Sequence, residues 1–427
     1  MKKLVLALFV AMMAVTGYAQ SMKVQDAFNF HKNCNAYIKD AETRKAQGKM
    51  EKAANIMKDA KTLIKRAKDA IDAAAEHEGT STSAKTWHYR GIIYYEIGHY
   101  EEFRDLDPNA LDIALQSFLK AKELDNDYYE DNKGEFRNFT TGIGNEYYQF
   151  ANTYYEQQDF ANAMNFYMKA YDAAAVTGKV DNQSLLGAAQ CAYYAKDFAK
   201  SAEYFGTIIN NGATDPSLYY FLAESYKEMG NAEEMLSIID KGLAQNVDNE
   251  LLTNEKINAL IVLGRETESI GILEDMAAKN PDKPVYYFNL GTIYGNANTA
   301  VFNIDKAIEC YDKAIAIDAK YENAYINAGG LYIDQAANLY KQAEDVWENK
   351  EISFNDQLKM SDDFTEQAKG FDEKAMPYVE KAYELLPNEP AIKQVLRGIY
   401  TRLKMNDKAA ALNDAQPQTI KEGASDR

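Results

Sequence analysis

The chain has 427 residues, with 47 basic and 65 acidic side chains and a formal net charge of −18. That acid excess argues against a general binder of phosphate backbones, which needs clustered Lys and Arg to displace counterions. An apolar content of 46% excludes global disorder, and only 8 Pro beside abundant Ala, Glu, Lys, Leu and Tyr favour helices.

Lys2 and Lys3 precede an unbroken apolar run from Leu4 to Val15, followed by Thr16-Gly17-Tyr18-Ala19. A charged start, a short apolar run and small residues before a cut are the layout of a secretory signal peptide, expected over residues 1–19. The run is too short to span a bilayer, which takes about 20 residues. No Cys sits at the cleavage point, so no lipid anchor is expected, and no later apolar run approaches spanning length. The mature chain would hold 408 residues with a charge of −20, and its expected location is periplasmic or secreted.

Residues 20–78 read as a degenerate helix pair, with Tyr37, Gly48, Ala53 and Ala60 as its markers and a long second helix. Trp87, Gly91 and Tyr94 open the next pair, completed after an insertion by Ala114, Phe118, Ala121 and Leu124. Residues 127–143 read as a polar, Gly-containing connector. Asp125, Asp127 and Asp131 at its start read as a solvated acidic turn, because the Gly and Glu of a calcium loop are missing. The clearest unit runs from Gly144 to Thr177: Tyr147, Phe150, Ala151 and Tyr154, then Phe160, Ala163, Tyr167 and Ala170. Large and small residues at this spacing describe two antiparallel helices that approach closely at the Ala positions.

The pattern recurs through Ala189, Ser201 and Phe205, then Leu222, Ala223, Tyr226 and Gly230, and a degenerate copy from Ile257 to Pro281. Tyr287, Leu290, Gly291 and Tyr294 pair with Ala307, Tyr311 and Ala314; Tyr325, Gly329 and Tyr332 pair across an insertion with Ala375, Ala382, Leu385 and Pro387. Leu396, Tyr400 and Ala409 close the series, and residues 416–427 form a polar tail expected to be disordered. The small position recurs at Ala151, Ala189, Ala223, Ile257, Gly291 and Gly329, with steps of 38, 34, 34, 34 and 38 residues. Large residues at 4, 7, 11 and 24 around small ones at 8, 20 and 27 of a 34-residue unit resemble the tetratricopeptide repeat. The resemblance implies an all-α, right-handed superhelical solenoid of antiparallel helix pairs over residues 84–415, nine pairs with the N-terminal one.

Residues 333–374 carry apolar stripes at steps of three and four, Ile333, Ala336, Tyr340, Ala343 and Trp347, then Phe354, Leu358, Phe364, Ala368 and Phe371. They predict an extended helical hairpin that either meets a partner or folds on the solenoid, with Trp347, Ile352 and Phe354 at its tip. Cys34, Cys191 and Cys310 fall in separate, non-adjacent pairs and are expected as buried free thiols. The four His show no metal-ligand spacing, and His88 reads as a lone surface residue. Gly142-Ile143-Gly144 lacks the third Gly of a dinucleotide loop, and no nucleophile elbow or triad stands out. Neither an enzyme, a metal site nor a cofactor is expected.

What remains is a surface. In proteins of the resembling family, positions 2, 5, 9 and 12 of each first helix line a concave groove. Here those positions supply Tyr95, Tyr148, Asn152, Tyr155, Gln190, Tyr193, Tyr220, Glu224, Asn258 and Phe288. Tyr gives rigid contact area with a hydroxyl, and amides pair with a peptide backbone, so a peptide segment or protein partner is expected there. The alternative for the Tyr residues is packing between neighbouring repeats. The family's carboxylate clamp needs Lys at position 5 with Asn at position 9; Tyr148 and Asn254 stand where that Lys would be. The sequence therefore reads as a non-enzymatic envelope scaffold for another exported or outer-membrane protein, with carbohydrate or peptidoglycan binding as the alternative.

Overall fold

The computed structural model describes residues 2–414, with side chains from 22 to 412. The side chains of the apolar run and the whole 416–427 tail thus lie outside the described residues. The chain divides into two compact units, Met1–Val247 and Asp248–Arg427.

The first unit contains α1 (Lys2–Ala46), α2 (Met50–Glu76), α3 (Ala84–His99), α4 (Ala110–Leu124), α5 (Asn126–Asp131), α6 (Lys133–Glu156), α7 (Phe160–Ala175), α8 (Asn182–Tyr194), α9 (Phe198–Asn210), α10 (Pro216–Glu228) and α11 (Ala232–Gln245), with a 3₁₀ turn at Glu101–Leu106. The second contains α12 (Glu250–Val262), α13 (Glu266–Lys279), α14 (Pro284–Tyr294), α15 (Ile304–Ile317), α16 (Glu322–Asp345), α17 (Phe354–Leu385), α18 (Pro390–Arg402) and α19 (Asn406–Asp414). Among the described residues there is no strand, and the helices form nine packed pairs plus the short α5. The fold is an all-α helical-repeat solenoid.

The repeat register has a packing reason. Its small positions are all buried, from Gly91 through Ala151, Ala189 and Ala223 to Gly291 and Gly329. A Cβ on Gly91 would lie 2.8 Å from the Phe118 ring, and one on Gly291 would lie 2.7 Å from the Tyr311 ring. Aromatic rings thus occupy the space these glycines vacate. Where the register places a large Ile257, its partner position carries buried Ser269, whose hydroxyl donates to the Ile257 carbonyl at 3.3 Å. Volume is conserved across the contact, as close-packed interiors require.

The turns within pairs are equally regular. Gln158, Lys196, Gly230, Gly264 and Lys404 all take the left-handed conformation, with φ between 59° and 76°. In each turn the next residue's N–H closes a hydrogen bond five residues back, as from Asp159 to Tyr154 and from Asn231 to Tyr226. This closure satisfies carbonyls that a helix end leaves orphaned. Asp159 and Asp197 then cap the following helices by accepting from the N–H of Asn162 and Lys200.

A second recurring device joins successive helices. Asp72 accepts from the Tyr94 hydroxyl at 2.8 Å and from Arg90 at 2.9 Å. Asp112 accepts from Tyr147 at 2.6 Å and Lys169 at 2.8 Å, and Glu380 from Tyr400 at 2.6 Å and Lys408 at 2.9 Å. Each is a carboxylate on one pair holding a Tyr and a cation from the next. The ring supplies buried area while its hydroxyl stays satisfied.

Residues 127–143 are not a connector. They form α5 and the start of α6, because Phe136, Thr140, Ile143 and Tyr147 recur at steps of four, three and four and are all buried. Gly142 is in this helix, where a Cβ would meet the Tyr95 hydroxyl at 2.5 Å. Asp125 is the N-cap of α5, accepting from the Tyr128 N–H.

In the second unit the expected hairpin is the prolonged helix pair α16 and α17, whose own helices continue outward without a break at the repeat boundary. A lock fixes its base. Arg402 of α18 grips the fully buried Asp372 with two hydrogen bonds of 2.6 and 2.8 Å, and Tyr340 donates to the same carboxylate at 2.9 Å.

Candidate functional site

The groove-facing positions of the first unit come from α3, α6, α8 and α10. Tyr95 is half-buried between α3 and α6, stacked on His99 at 5.3 Å and edge-on to Phe139 at 5.4 Å, so its ring packs between pairs. Tyr148 is half-buried, and its hydroxyl accepts from the Gln183 amide at 3.0 Å. Asn152 accepts from the Tyr167 hydroxyl at 2.6 Å. Gln190 and Tyr193 are half-buried, the latter edge-on to Phe221 at 5.4 Å. Tyr220 lies edge-on to Phe221 at 5.3 Å. Tyr155 is 37% exposed. Glu224 is buried and takes Lys227 at 2.9 Å, so its charge is already compensated.

Two features of this floor are not among the residues singled out by the sequence. Beside Tyr148 lies a cleft of about 310 Å³, with Thr140, Thr141, Asn145, Lys179 and Gln183 in its lining. Its hydroxyls and amides offer both donors and acceptors. At the other end of the first helices, Tyr194, which is 46% exposed, joins Tyr155 at 6.4 Å and Phe160 at 5.3 Å. The rings continue through Tyr193 to Phe221. The signal was present at repeat positions 13 and 17, outside the four positions projected into the groove.

In the second unit, Asn258 is exposed and donates to Glu255 at 3.4 Å, and Phe288 is half-buried against Tyr311 and Tyr321. At the arm's tip Trp347 is 42% and Phe354 67% exposed, with their rings 5.8 Å apart, while Ile352 is half-buried. The indole N–H donates to the Ser361 hydroxyl at 3.1 Å, so the exposed rings need no polar partner. Leu358 and Met360 of α17 are exposed as well.

His88 is not a surface residue. It is buried, stacked on Phe136 at 4.4 Å, with Nδ1 and the Tyr128 hydroxyl 2.9 Å apart. Nε2 has no hydrogen-bond partner among the described residues, and burial lowers the pKa from 6.5 to about 4. Helix position 5 faces inward here because α5 and the start of α6 cover it.

Cys34 and Cys191 are buried free thiols, and Cys310 is half-buried and free. Burial pushes Cys34 and Cys191 up to about 12, with the Glu96 charge adding to the effect at Cys34. Neither supplies a ready thiolate. Among the described residues no group of three or more His, Cys, Asp or Glu could hold a metal, and no helix is long and apolar enough to cross a membrane.

The molecule is thus a helical-repeat solenoid carrying a tyrosine and amide surface. No protein-family model matches the chain, and no curated protein matches it. Among solved structures it is similar to YrrB, described as a TPR protein with an unusual peptide-binding site, at 19% identity over 47% of this chain and 94% of that one, with a TM-score of 0.33. It is also similar to a TPR repeat protein from Bacteroides fragilis, at 19% identity over 60% of this chain and 98% of that one, TM-score 0.28. A TPR protein from Thermus thermophilus aligns at 16% identity over 44% of this chain and 98% of that one, TM-score 0.29.

Proposed function

We propose that this chain is a non-enzymatic scaffold of the bacterial cell envelope that binds a peptide segment or protein partner. The observation that carries this reading is the floor of the first unit, where Tyr148, Asn152, Gln190 and Tyr155 lie between an open polar cleft and exposed rings. Such a floor offers amide pairing for a main chain and rigid aromatic area for its side chains. The exposed tip of the α16–α17 arm is a second contact, held out by the Asp372 lock. The test is recovery of crosslinked partners by the full chain and by a Tyr148→Ala, Tyr155→Ala double variant. Unchanged recovery by that variant overturns the groove reading, and unchanged recovery by Trp347→Ser with Phe354→Ser removes the arm.

Location rests on the Leu4–Val15 run and the small residues after it. Mass spectrometry of the native protein is expected to find a new N-terminus at Gln20. An intact Met1 in envelope-fractionated protein would refute export by cleavage. Carbohydrate binding stands as the second reading, favoured by the hydroxyl- and amide-lined cleft beside Tyr148. Retention on isolated cell wall, released by soluble glycan and lost in Tyr148→Ala, would select it over the first.

A further inference from the structure

The rings at the turn end of the first-unit floor have an arrangement that narrows the ligand. Tyr155 and Tyr194 meet at 63°, Tyr194 and Tyr193 at 77°, Tyr193 and Phe221 at 73°, and Phe221 and Tyr220 at 71°, with centroids 5.3 to 6.4 Å apart. Successive rings are therefore close to perpendicular across three helices, α6, α8 and α10. A coplanar run of rings would make a flat platform suited to sugars or bases. An edge-to-face arrangement instead leaves a corner walled by one ring face and one ring edge, open to solvent at Tyr155 and Tyr194.

A proline ring fits such a corner, and a polyproline II segment presents proline rings in a regular series. That helix has three residues per turn and rises about 9 Å per turn. A proline at every third residue would then present its rings on one side of the segment. Its backbone carbonyls make no internal hydrogen bonds, so they can accept from Tyr hydroxyls and the Gln190 amide. The preformed conformation loses little entropy on binding.

Charge sets the flanks. Glu156 and Glu228 are exposed at this edge and have no ion pair among the described residues, and Asp159 caps α7. Lys200 and Lys227 are already paired with Asp197 and Glu224, and Lys196 is a further cation at this edge. The edge is thus net acidic and favours Arg or Lys beside the prolines, where a guanidinium can also lie on a Tyr face.

We propose that the Tyr155–Tyr194–Tyr193–Phe221 zigzag docks a proline-rich segment in polyproline II conformation with basic flanking residues. This rests on the groove reading above and names the class of its partner. The test uses fluorescence anisotropy with the full chain and a labelled synthetic peptide that carries Pro at every third position and Arg at both ends. Saturable binding is expected, weakened about tenfold when every Pro becomes Ala and about tenfold by Tyr194→Ala. Tyr194 is 46% exposed, so its removal spares the core; a melting curve unchanged from wild type verifies this. Val262→Ala in the second unit, at a position 70% exposed, is expected to bind as wild type does, and Glu228→Lys to weaken binding most at low salt. Equal affinity for the Pro and Ala peptides, or no saturable binding, overturns the proposal. In that event the groove reading survives if Tyr148→Ala with Tyr155→Ala still lowers partner recovery, so the two failures are distinguishable.

Discussion

His88 makes a sharp test of the first unit's packing. The ring is enclosed by Phe136, Phe118, Tyr89 and Tyr128, and its pKa is lowered to about 4 from an unfolded 6.5 because charging it there strips its hydration. Between those values the unfolded chain binds the proton more readily than the folded one, so stability rises with pH across that window. The stabilisation is full above the unfolded value and lost as pH falls toward the folded one. Going from pH 7 to pH 5 should cost about 2 kcal/mol, and the whole shift corresponds to about 3 kcal/mol. Glu135, with its carboxylate 3.6 Å from Nε2 and half-exposed, would attract the imidazolium and makes these figures upper values. The perturbation is His88→Phe, which keeps a ring against Phe136 and cannot titrate. Because repeat arrays open locally, the assay is hydrogen exchange of residues 84–143 at both pH values, beside an NMR titration assigned by the missing resonance. Wild type should lose protection in this segment at pH 5, and the variant should lose far less. An equal loss in both proteins, or an NMR pKa near 6.5, would refute the argument.

Asp372→Ala should destabilise the arm's base by about 2 kcal/mol, below the 3–5 typical of a broken buried pair, since Arg402 can reach solvent. Thermal melts would measure it, and a double variant with Arg402→Ala should cost less than the sum of the single changes. Gln158→Gly and Lys196→Gly should each stabilise by about 0.5–1 kcal/mol, while Gly230→Ala and Gly264→Ala should destabilise by about 1 kcal/mol. Urea titration compares these four, and the same sign at all of them would contradict the shared left-handed turn. Cys34 and Cys191 should resist a thiol reagent in the native state while Cys310 reacts first, read as labelling rates before and after denaturation. Tyr94, raised to about 12 chiefly by burial and then by its bond to Asp72, should contribute stability present below pH 10 and lost as pH rises toward 12. Tyr94→Phe should flatten that alkaline loss in a stability profile.

The repeat was legible because its requirement is local and steric. Two helices can approach only where Gly91, Ala151 or Gly291 leaves room, so the small residues mark the contact and their spacing carries the register. Composition misdirects where that spacing is absent. Glycines and polar residues over 127–143 suggested a connector, yet Gly142 is small because the Tyr95 hydroxyl lies against it, and Phe136 and Ile143 carry the helix's buried face. The same segment decides the place of His88. Position 5 of a repeat faces the groove, and here the α5 and α6 segment covers it and makes it interior.

The acid content and the Tyr content meet in three of the contacts between pairs. Several Tyr of the repeat signature are joinery, since Tyr94, Tyr147 and Tyr400 each spend their hydroxyl on Asp72, Asp112 or Glu380 of the preceding pair. Acids so engaged cannot steer a partner, and Tyr residues so engaged cannot contact one. The residues left to recognise a ligand are those whose rings stay open, Tyr155 and Tyr194 above all, and one of these two lies outside the groove positions of the repeat. Position in the repeat tells which way a side chain starts, but the neighbour's carboxylate decides whether it is free. That division was invisible to the sequence, because the acid and the Tyr it binds are 22 residues apart in one case and 35 in another.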